Sequence, residues 1–552
     1  MTGVQTCALP ISNTKVTYYD EQISAYVSFT FGDGSNWLPS IINYNQGYLT
    51  VGDIADPHGV SETKRWIGRK YSEELVEMCH SLMLNYELIR GDNDMICIRL
   101  ECDDGRNIDL YPEDVAALIL MEAIKQLKDR TGVDINDIRV VITVPATFTN
   151  EQRKATMMAA RIANIQVTNL LLEPTAAVYA YGMSTSDDGY YLSVDIGGGT
   201  FDLTLLKKED GKFIVVRNGG DPTLGGLDVD KEFVNILLES MENEYSPFVK
   251  SVIITGRETP KQRQEKEERR YVLRRLIEKA KIDMFDKGYD ETDLDLSSLG
   301  GPDKYKIFKS FVDYALMNKR DDKLSILQRI MECVESIIKN QDDNIKLDYS
   351  NIEKVILVGG TSQIPIIGEK LKEVFNEYDE QVTNLGFEPI TIVSRGAAMF
   401  AKDLSEDDVA LDIRESTAHS IGVSAIDIHG HPYIQTIIEK NTPIKGDDGQ
   451  YLQRDIPVEF NGSYADLELF EDGHELADGK FRFKRERRGD NLILRISFTD
   501  DHLLKFTSLC NGRETGEESF KTGVVDMNGE MIMERRQRIE GLRNNLDRKS
   551  VV

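Results

Sequence analysis

Residues 193–203 read SVDIGGGTFDL and place three glycines between two acids. Gly197, Gly198 and Gly199 are expected to let the backbone take positive φ and approach a bound group with no Cβ in the way, so that their N–H groups cradle phosphate oxygens. Asp195 on one flank and Asp202 on the other sit where hydrated Mg²⁺ needs carboxylates, since that ion keeps several waters and takes only one or two acids. Three glycines alone describe a plain hairpin turn equally well. The flanking acids, with Thr200, favour phosphate. A second turn, Gly359, Gly360 and Thr361, lies between the apolar run 354–358 and a helix opened by Pro365, where free N–H groups and the helix dipole favour an anion. A third, Leu224 to Asp228 with Gly225 and Gly226, leads into a helix beginning near Val229.

These turns need strands and helices to hold them. Residues 190–194 and the alternation resuming at Leu203 predict a strand, a tight turn and a returning strand. Pro112, the acids Glu113 and Asp114, apolar residues at helical spacing and Gly132 predict a helix over 112–131. Thr149 and Gln152 form a capping box for a helix carrying Arg153. The run 167–172 is continuously apolar, as a strand covered on both faces should be, and is followed by Glu173 and a helix opened by Pro174. Strands alternating with helices predict an α/β domain. A charged helix is expected over 262–285 and another over 365–375. Six short apolar runs between His419 and Phe498 predict a β-sandwich. The residues from Thr507 onward are polar, with one helix near 531–546.

The chain has 552 residues, enough for two or three domains, and a net charge of -28. That charge argues against nucleic acid or an anionic membrane as the main partner. Six cysteines without metal-ligand or disulfide-framework spacing fit a reducing cytoplasm. Residues 1–12, MTGVQTCALPIS, read as a non-native segment. The island KRWIGRK at 64–70 reads by itself as a solvated basic face. The connector DDVALDI, 407–413, has apolar residues at alternate positions, so it can dock as an added strand.

In order and spacing, VITVPATF, NEQR, LLEPTAAVYAYG, VDIGGGTFDL, LGGLDVD and VILVGGTSQIP resemble the motifs of the DnaK-type 70-kilodalton heat-shock chaperones. The resemblance implies a multidomain chain. An α/β actin-like, ribonuclease-H-like ATPase domain of two lobes closes on ATP or ADP with Mg²⁺, and a β-sandwich peptide-binding domain follows. The implied divisions are 13–402, a linker at 403–413, a sandwich at 414–508 and a polar tail at 509–552 with the family's lid cut short or absent. Lys64 matches the lysine that positions the attacking water. Glu173 matches an acid beside the nucleotide, and Asp195 the acid near Mg²⁺ and that water. Glu278 and Lys281 match adenosine contacts. Pro145, Arg153 and Leu411 match a relay from nucleotide to linker. Ile421, Val423, Ile426 and Ile437 fall where the family lines its peptide groove, although alternation in a sandwich equally describes core. Implied partners are unfolded or extended polypeptides, a J-domain co-chaperone and a nucleotide exchange factor, with no nucleic acid and no membrane.

Three departures matter. The family's first phosphate hairpin is replaced by residues 1–12, so half of the phosphate clamp is expected to be missing. Ile282 and Gln363 stand where arginines usually stack on adenine, and Ile390 replaces a customary acid. An ATP-driven chaperone, a nucleotide-responsive binder with little turnover, and another actin-like kinase or filament protein therefore all remain as readings; the connector and the β-domain speak against the last.

Overall fold

The computed structural model describes residues 5–8, 13–45, 48–52, 59–101, 106–132, 140–182, 187–320, 323–340, 345–383, 391–404, 413–427, 429–446, 448–458, 464–484, 491–499, 502–516 and 529–544. The linker residue Leu411 and Ile390 lie outside them. Two mixed sheets of six strands form the larger part. In the first, Val167–Leu172, Val140–Val144, Gln5–Ala8, Asn13–Asp20 and Ala25–Ser28 lie side by side in that order. In the second, Val382–Thr383, Ile352–Val358, Gly189–Ile196, Phe201–Glu209 and Lys212–Asp221 repeat the same order of parallel and antiparallel neighbours.

The repeat takes in part of the opening segment. The segment read as non-native supplies a strand, Gln5–Ala8, parallel to Val140–Val144 and antiparallel to Asn13–Asp20, with Ala8 opposite Lys15. It occupies the place in the first sheet that Gly189–Ile196 holds in the second. Backbone pairing can order so short a segment without visible alternation, which is why the sequence did not announce it. Its connection to the next strand, residues 9–12, lies outside the described residues and is spelled LPIS, without the glycines of the counterpart GGGT at 197–200.

Helices cover the sheets where periodicity placed them. Pro112–Thr131 ends on Gly132 at φ 71°, and Asn150–Ile162 starts from the Thr149 and Gln152 capping box. Helices Glu173–Gly182 and Ile392–Asp403 pack against each other between the sheets, joined by a core of Tyr179, Tyr191, Phe213 and Phe400. Their approach requires Gly396, because a Cβ there would collide with the Ala176 carbonyl. That contact fixes Glu173, at the start of one helix, and Ser394, near the start of the other.

Two antiparallel four-stranded sheets follow and enclose one apolar core, with Val423 and Leu469 from one sheet meeting Leu494, Ile496 and Phe506 from the other. The sandwich runs past the expected boundary at 508, since Leu504–Cys510 and Arg513–Gly516 are both strands. Thr507 and Ser508 hid the alternation there, although Phe506 and Leu509 point inward. The expected terminal helix is present as Gly529–Asn544. It docks on the first α/β unit through fully buried Ile539 and an Arg535–Asp114 ion pair of 2.7 Å. Among the described residues, no helix is long and apolar enough to cross a membrane.

Candidate functional site

A cavity opens between the two six-stranded units. Lys64 and Glu173 enter it from one side, and Asp195, Thr200, Gly226 and Thr361 from the other. Asp195 and Asp202 are a register pair on the central hairpin, so both acids stand at its closed end. The structure changes the role of the glycines. None of Gly197, Gly198 and Gly199 has a positive φ; the left-handed position is Gly359, at 82°. The glycines serve close approach instead. Gly226 and Leu227 donate their N–H groups to the carbonyls of Gly197 and Gly198 at 3.0 and 2.7 Å, and the Thr361 hydroxyl donates to Gly197 at 2.9 Å. A Cβ on Gly225 would lie 2.6 Å from Gly198 O and Gly199 N. The three turns that the sequence singled out therefore meet at one point.

The acids beside them carry unfavourable charge. Burial, then the charges of Glu173 and Asp202, push the Asp195 carboxyl well above its ordinary range, against the pull of Lys64 and Lys15. Burial also raises Glu173, although Lys64 Nζ sits 2.6 Å from its Oε1. Asp202 is raised by burial too; one oxygen accepts from the Thr147 N–H and hydroxyl at 3.0 and 2.8 Å, while the other has no partner. Buried carboxylates in this state are relieved by a cation or a proton. Among the described residues, no group of three or more His, Cys, Asp or Glu is arranged to hold a metal ion.

At the other end of the cavity, Glu278 and Lys281 are present but already engaged. Lys281 pairs with Asp230 at 2.6 Å, and Glu278 with Arg275 at 2.7 Å and Arg274 at 3.5 Å. Burial pushes Asp230 up to about 6 despite Lys281. Ile282, Phe285, Gln363 and Ile364 make the surrounding wall, so aliphatic and aromatic surface stands where two arginines were missed. Asp230, Lys15, Trp37 and Glu62 also line this cavity and were not singled out from sequence. Asp230 had a signal, because it lies two residues past Asp228 in the same turn and helix start.

The other expected residues fall at the junction with the sandwich. Pro145 ends its strand and its carbonyl accepts from Phe148 N–H at 3.2 Å. Arg153 reaches Glu415 at 3.8 Å, and Glu415 is also held by His502 at 2.9 Å. Ile413 and Arg414 pair in parallel with Phe213 and Ile214 at the edge of the second sheet, while the rest of the connector expected to dock, 407–412, lies outside the described residues. The four groove residues do not share one surface. Ile421 and Val423, each 2% exposed, point into the sandwich core, and Ile437 packs against that core. Ile426, at the strand end, is 74% exposed. Period-two alternation puts 421 and 423 on the inner face, so the core reading of those two positions holds.

Fold and site together define a mixed α/β protein whose glycine turns close on a cavity of buried acids, joined to a β-sandwich. The chain belongs to the Hsp70 family: the family model described as Hsp70 protein matches residues 30–453. It is similar to "Chaperone protein dnaK" of Guillardia theta, 31% identical over 407 residues, which cover 71% of this chain and 59% of that protein. The same figures hold for "Chaperone protein DnaK" of Thermus thermophilus. Against "Chaperone protein dnaK3" of Thermosynechococcus vestitus it is 31% identical over 429 residues, 75% of this chain and 56% of that protein. The chain thus spans less than two thirds of the length of these relatives.

Proposed function

We propose that the chain is an ATP-dependent chaperone that binds extended or unfolded polypeptide and couples nucleotide state to peptide affinity. On this reading the two six-stranded units are the lobes of an actin-like ATPase domain that takes in strand Gln5–Ala8 and runs to about residue 402, with 403–413 as linker and the sandwich as peptide-binding domain. Bound Mg²⁺ and ATP supply the phosphoryl group and a charge that relieves the buried acids, with ADP as the product. Gly197 to Thr200, Gly225, Gly226 and Gly359 to Thr361 hold the phosphates. Asp195 and Asp202 are the acids that would face the metal, which would supply positive charge at the phosphates. Lys64 would neutralise developing charge and, with Glu173, orient the attacking water, with Asp195 as the acceptor of its proton. Glu278, Lys281, Ile282 and Gln363 border the nucleoside.

For the peptide, Pro432–Ile438 is an edge strand of its sheet and exposes Tyr433 and Ile434 beside Ile426, which suits addition of an extended strand. A J-domain co-chaperone and a nucleotide exchange factor are the partners that this cycle calls for, in a cytoplasmic setting. One observation carries the coupling. Thr147 donates to the cavity acid Asp202, and its carbonyl oxygen lies 3.0 Å from Nε2 of His419 in the sandwich. A change at the acids therefore reaches the second domain through one residue. The test is the affinity of the full chain for an unfolded peptide with and without ATP and Mg²⁺. Coupling of the usual size changes it by about 5- to 150-fold. Equal affinity in both conditions removes the coupled-chaperone reading.

A further inference from the structure

One short turn, residues 62–65, sends three charged side chains to the cleft. Lys64 meets Glu173 at 2.6 Å, and Arg65 crosses to Asp228 at 2.7 Å. Among the described residues, Glu62 has no comparable partner. It lines the central cavity while being only 2% exposed, and its Oε2 is buried without a hydrogen bond. The nearby guanidinium groups are already committed, Arg65 to Asp228, and Arg274 and Arg275 to Glu278. They draw the Glu62 carboxyl down, but burial and then the charge of Glu278 outweigh them and push it up to about 7. The backbone holds the residue in this place. Glu62 sits at φ 63° and ψ 19°, a left-handed conformation that a glutamate seldom adopts. Just before it, the Gly59 carbonyl accepts from the Tyr271 hydroxyl at 2.9 Å, which ties the turn to the second unit.

A buried carboxyl oxygen without a donor costs free energy that a bound group can return. The donor has to come through the cavity, and because the last torsion of a glutamate is broad, either oxygen can turn toward it. Ile282, Phe285 and Ile364, which line the same cavity as Glu278, offer apolar surface to the flat face of a base. The sugar is what remains of a nucleoside, and its neighbouring hydroxyls are paired donors that suit a carboxylate. Glu278 and Asp230 are held by arginine and lysine instead. We propose that Glu62 accepts hydrogen bonds from the ribose hydroxyls of the bound nucleotide and selects ribonucleotides over deoxyribonucleotides. This role rests on the reading of the cavity as a nucleotide site and adds to it a residue that reads the sugar.

The experiment is equilibrium binding of ATP, deoxyATP and inosine triphosphate to the full chain, wild type and Glu62→Met, by calorimetry in weakly alkaline solution, where the carboxyl is ionised. The wild type should favour ATP over deoxyATP by about 10- to 100-fold, the scale of one hydrogen bond to a charged group. Glu62→Met, with similar length but no acceptor, should bind the two within about twofold of each other. Glu62→Gln, a neutral acceptor of the same shape, should keep about half of the preference on a logarithmic scale, and it carries the comparison should the methionine variant not fold. A preference absent from the wild type, or one that survives whole in a folded variant because both nucleotides weaken alike, overturns the proposal. A variant that instead loses discrimination against inosine triphosphate would assign Glu62 to the base amine and overturn it as well. Failure of the wild type to bind ATP at all would remove the nucleotide reading itself, and this role with it.

Discussion

The backbone N–H of Leu172 donates to the carboxylate of Glu415 at 3.3 Å. Leu172 is the residue before Glu173 of the cavity, and Glu415 stands two residues beyond the strand residue Ile413, so the contact joins the acid cluster to the start of the sandwich. Burial opposes a charge on Glu415, but His502 and Arg153 hold its carboxyl below the usual range. Glu415→Ala would leave Arg153 and His502 facing a buried gap, the costly way to break such a group. The expected outcome is loss of most of the ATP effect on peptide affinity, with ATP binding itself within about twofold of wild type, on the scale of the ~1 to 3 kcal/mol typical of allosteric coupling. Peptide titrations with and without ATP check it; a full ATP effect in the variant would make the contact incidental.

Asp195→Asn separates chemistry from folding. The Asp195 carboxyl is raised by burial and by Glu173 and Asp202, so its ionised form opposes the fold at neutral pH. The amide removes that charge at nearly constant shape. We expect ATP turnover to fall by about 10²-fold or more, the scale for one lost electrostatic contributor, while the melting temperature without nucleotide rises. Melting curves and single-turnover hydrolysis read the two effects separately. Unchanged turnover would take Asp195 out of the mechanism.

Much of this site was legible because glycines, acids and prolines were clustered in short local motifs. Asp195, Thr200, Gly226 and Thr361 were singled out from such motifs, and the structure brings them to one cavity. What stayed hidden depended on partners distant in sequence. Lys15 gave no signal, since a lysine in a polar strand reads as a solvent-facing residue until the helix carrying Ser394 covers it. The strand Gln5–Ala8 is defined by its neighbours at 13–20 and 140–144 rather than by its own pattern. Ile421 and Ile426 were equivalent as apolar residues, and the sandwich alone decides that one is buried and the other exposed.

The close approach at the glycine turns predicts a contrast between two substitutions. A Cβ on Gly225 meets backbone atoms at 2.6 Å, and backbone cannot step aside as a side chain end would. Gly360 has nothing within 4 Å and no positive φ. Gly225→Ala should destabilise the protein by about 1 to 3 kcal/mol, the usual cost of overpacking, and abolish measurable ADP binding. Gly360→Ala should melt within about a degree of wild type, as for a surface change of a few tenths of a kcal/mol. Denaturant unfolding of both variants decides whether the turns are held by contact or merely flexible.

The junction between the α/β part and the sandwich also sets a pH dependence. Glu471, 8% exposed, accepts from the Asn150 N–H at 3.3 Å and lies against Glu151, one oxygen of which has no hydrogen-bond partner. Burial and then the charge of Glu151 push Glu471 well above its ordinary value, against Arg153; burial likewise raises Glu151, against Lys154 and Lys70. Nearby, Asp472 is held low by its hydrogen bonds with His419 and Ser420 despite burial, so it stays charged and does not titrate in the same window. A carboxyl raised on docking binds a proton more tightly in the docked state. Docking is therefore favoured in weak acid and weakens as the pH rises from the ordinary glutamate value of 4.5 through the raised one. Glu415, whose carboxyl is lowered, contributes the opposite sign, but only as the pH falls below that ordinary value. Scattering of the full chain should show an increasing radius of gyration from weakly acid to weakly alkaline solution. Glu471→Gln cannot ionise and should stay compact throughout. A wild type whose dimensions do not change, or a variant that expands as the wild type does, would mean that the protonation of Glu471 plays no part in holding the two domains together.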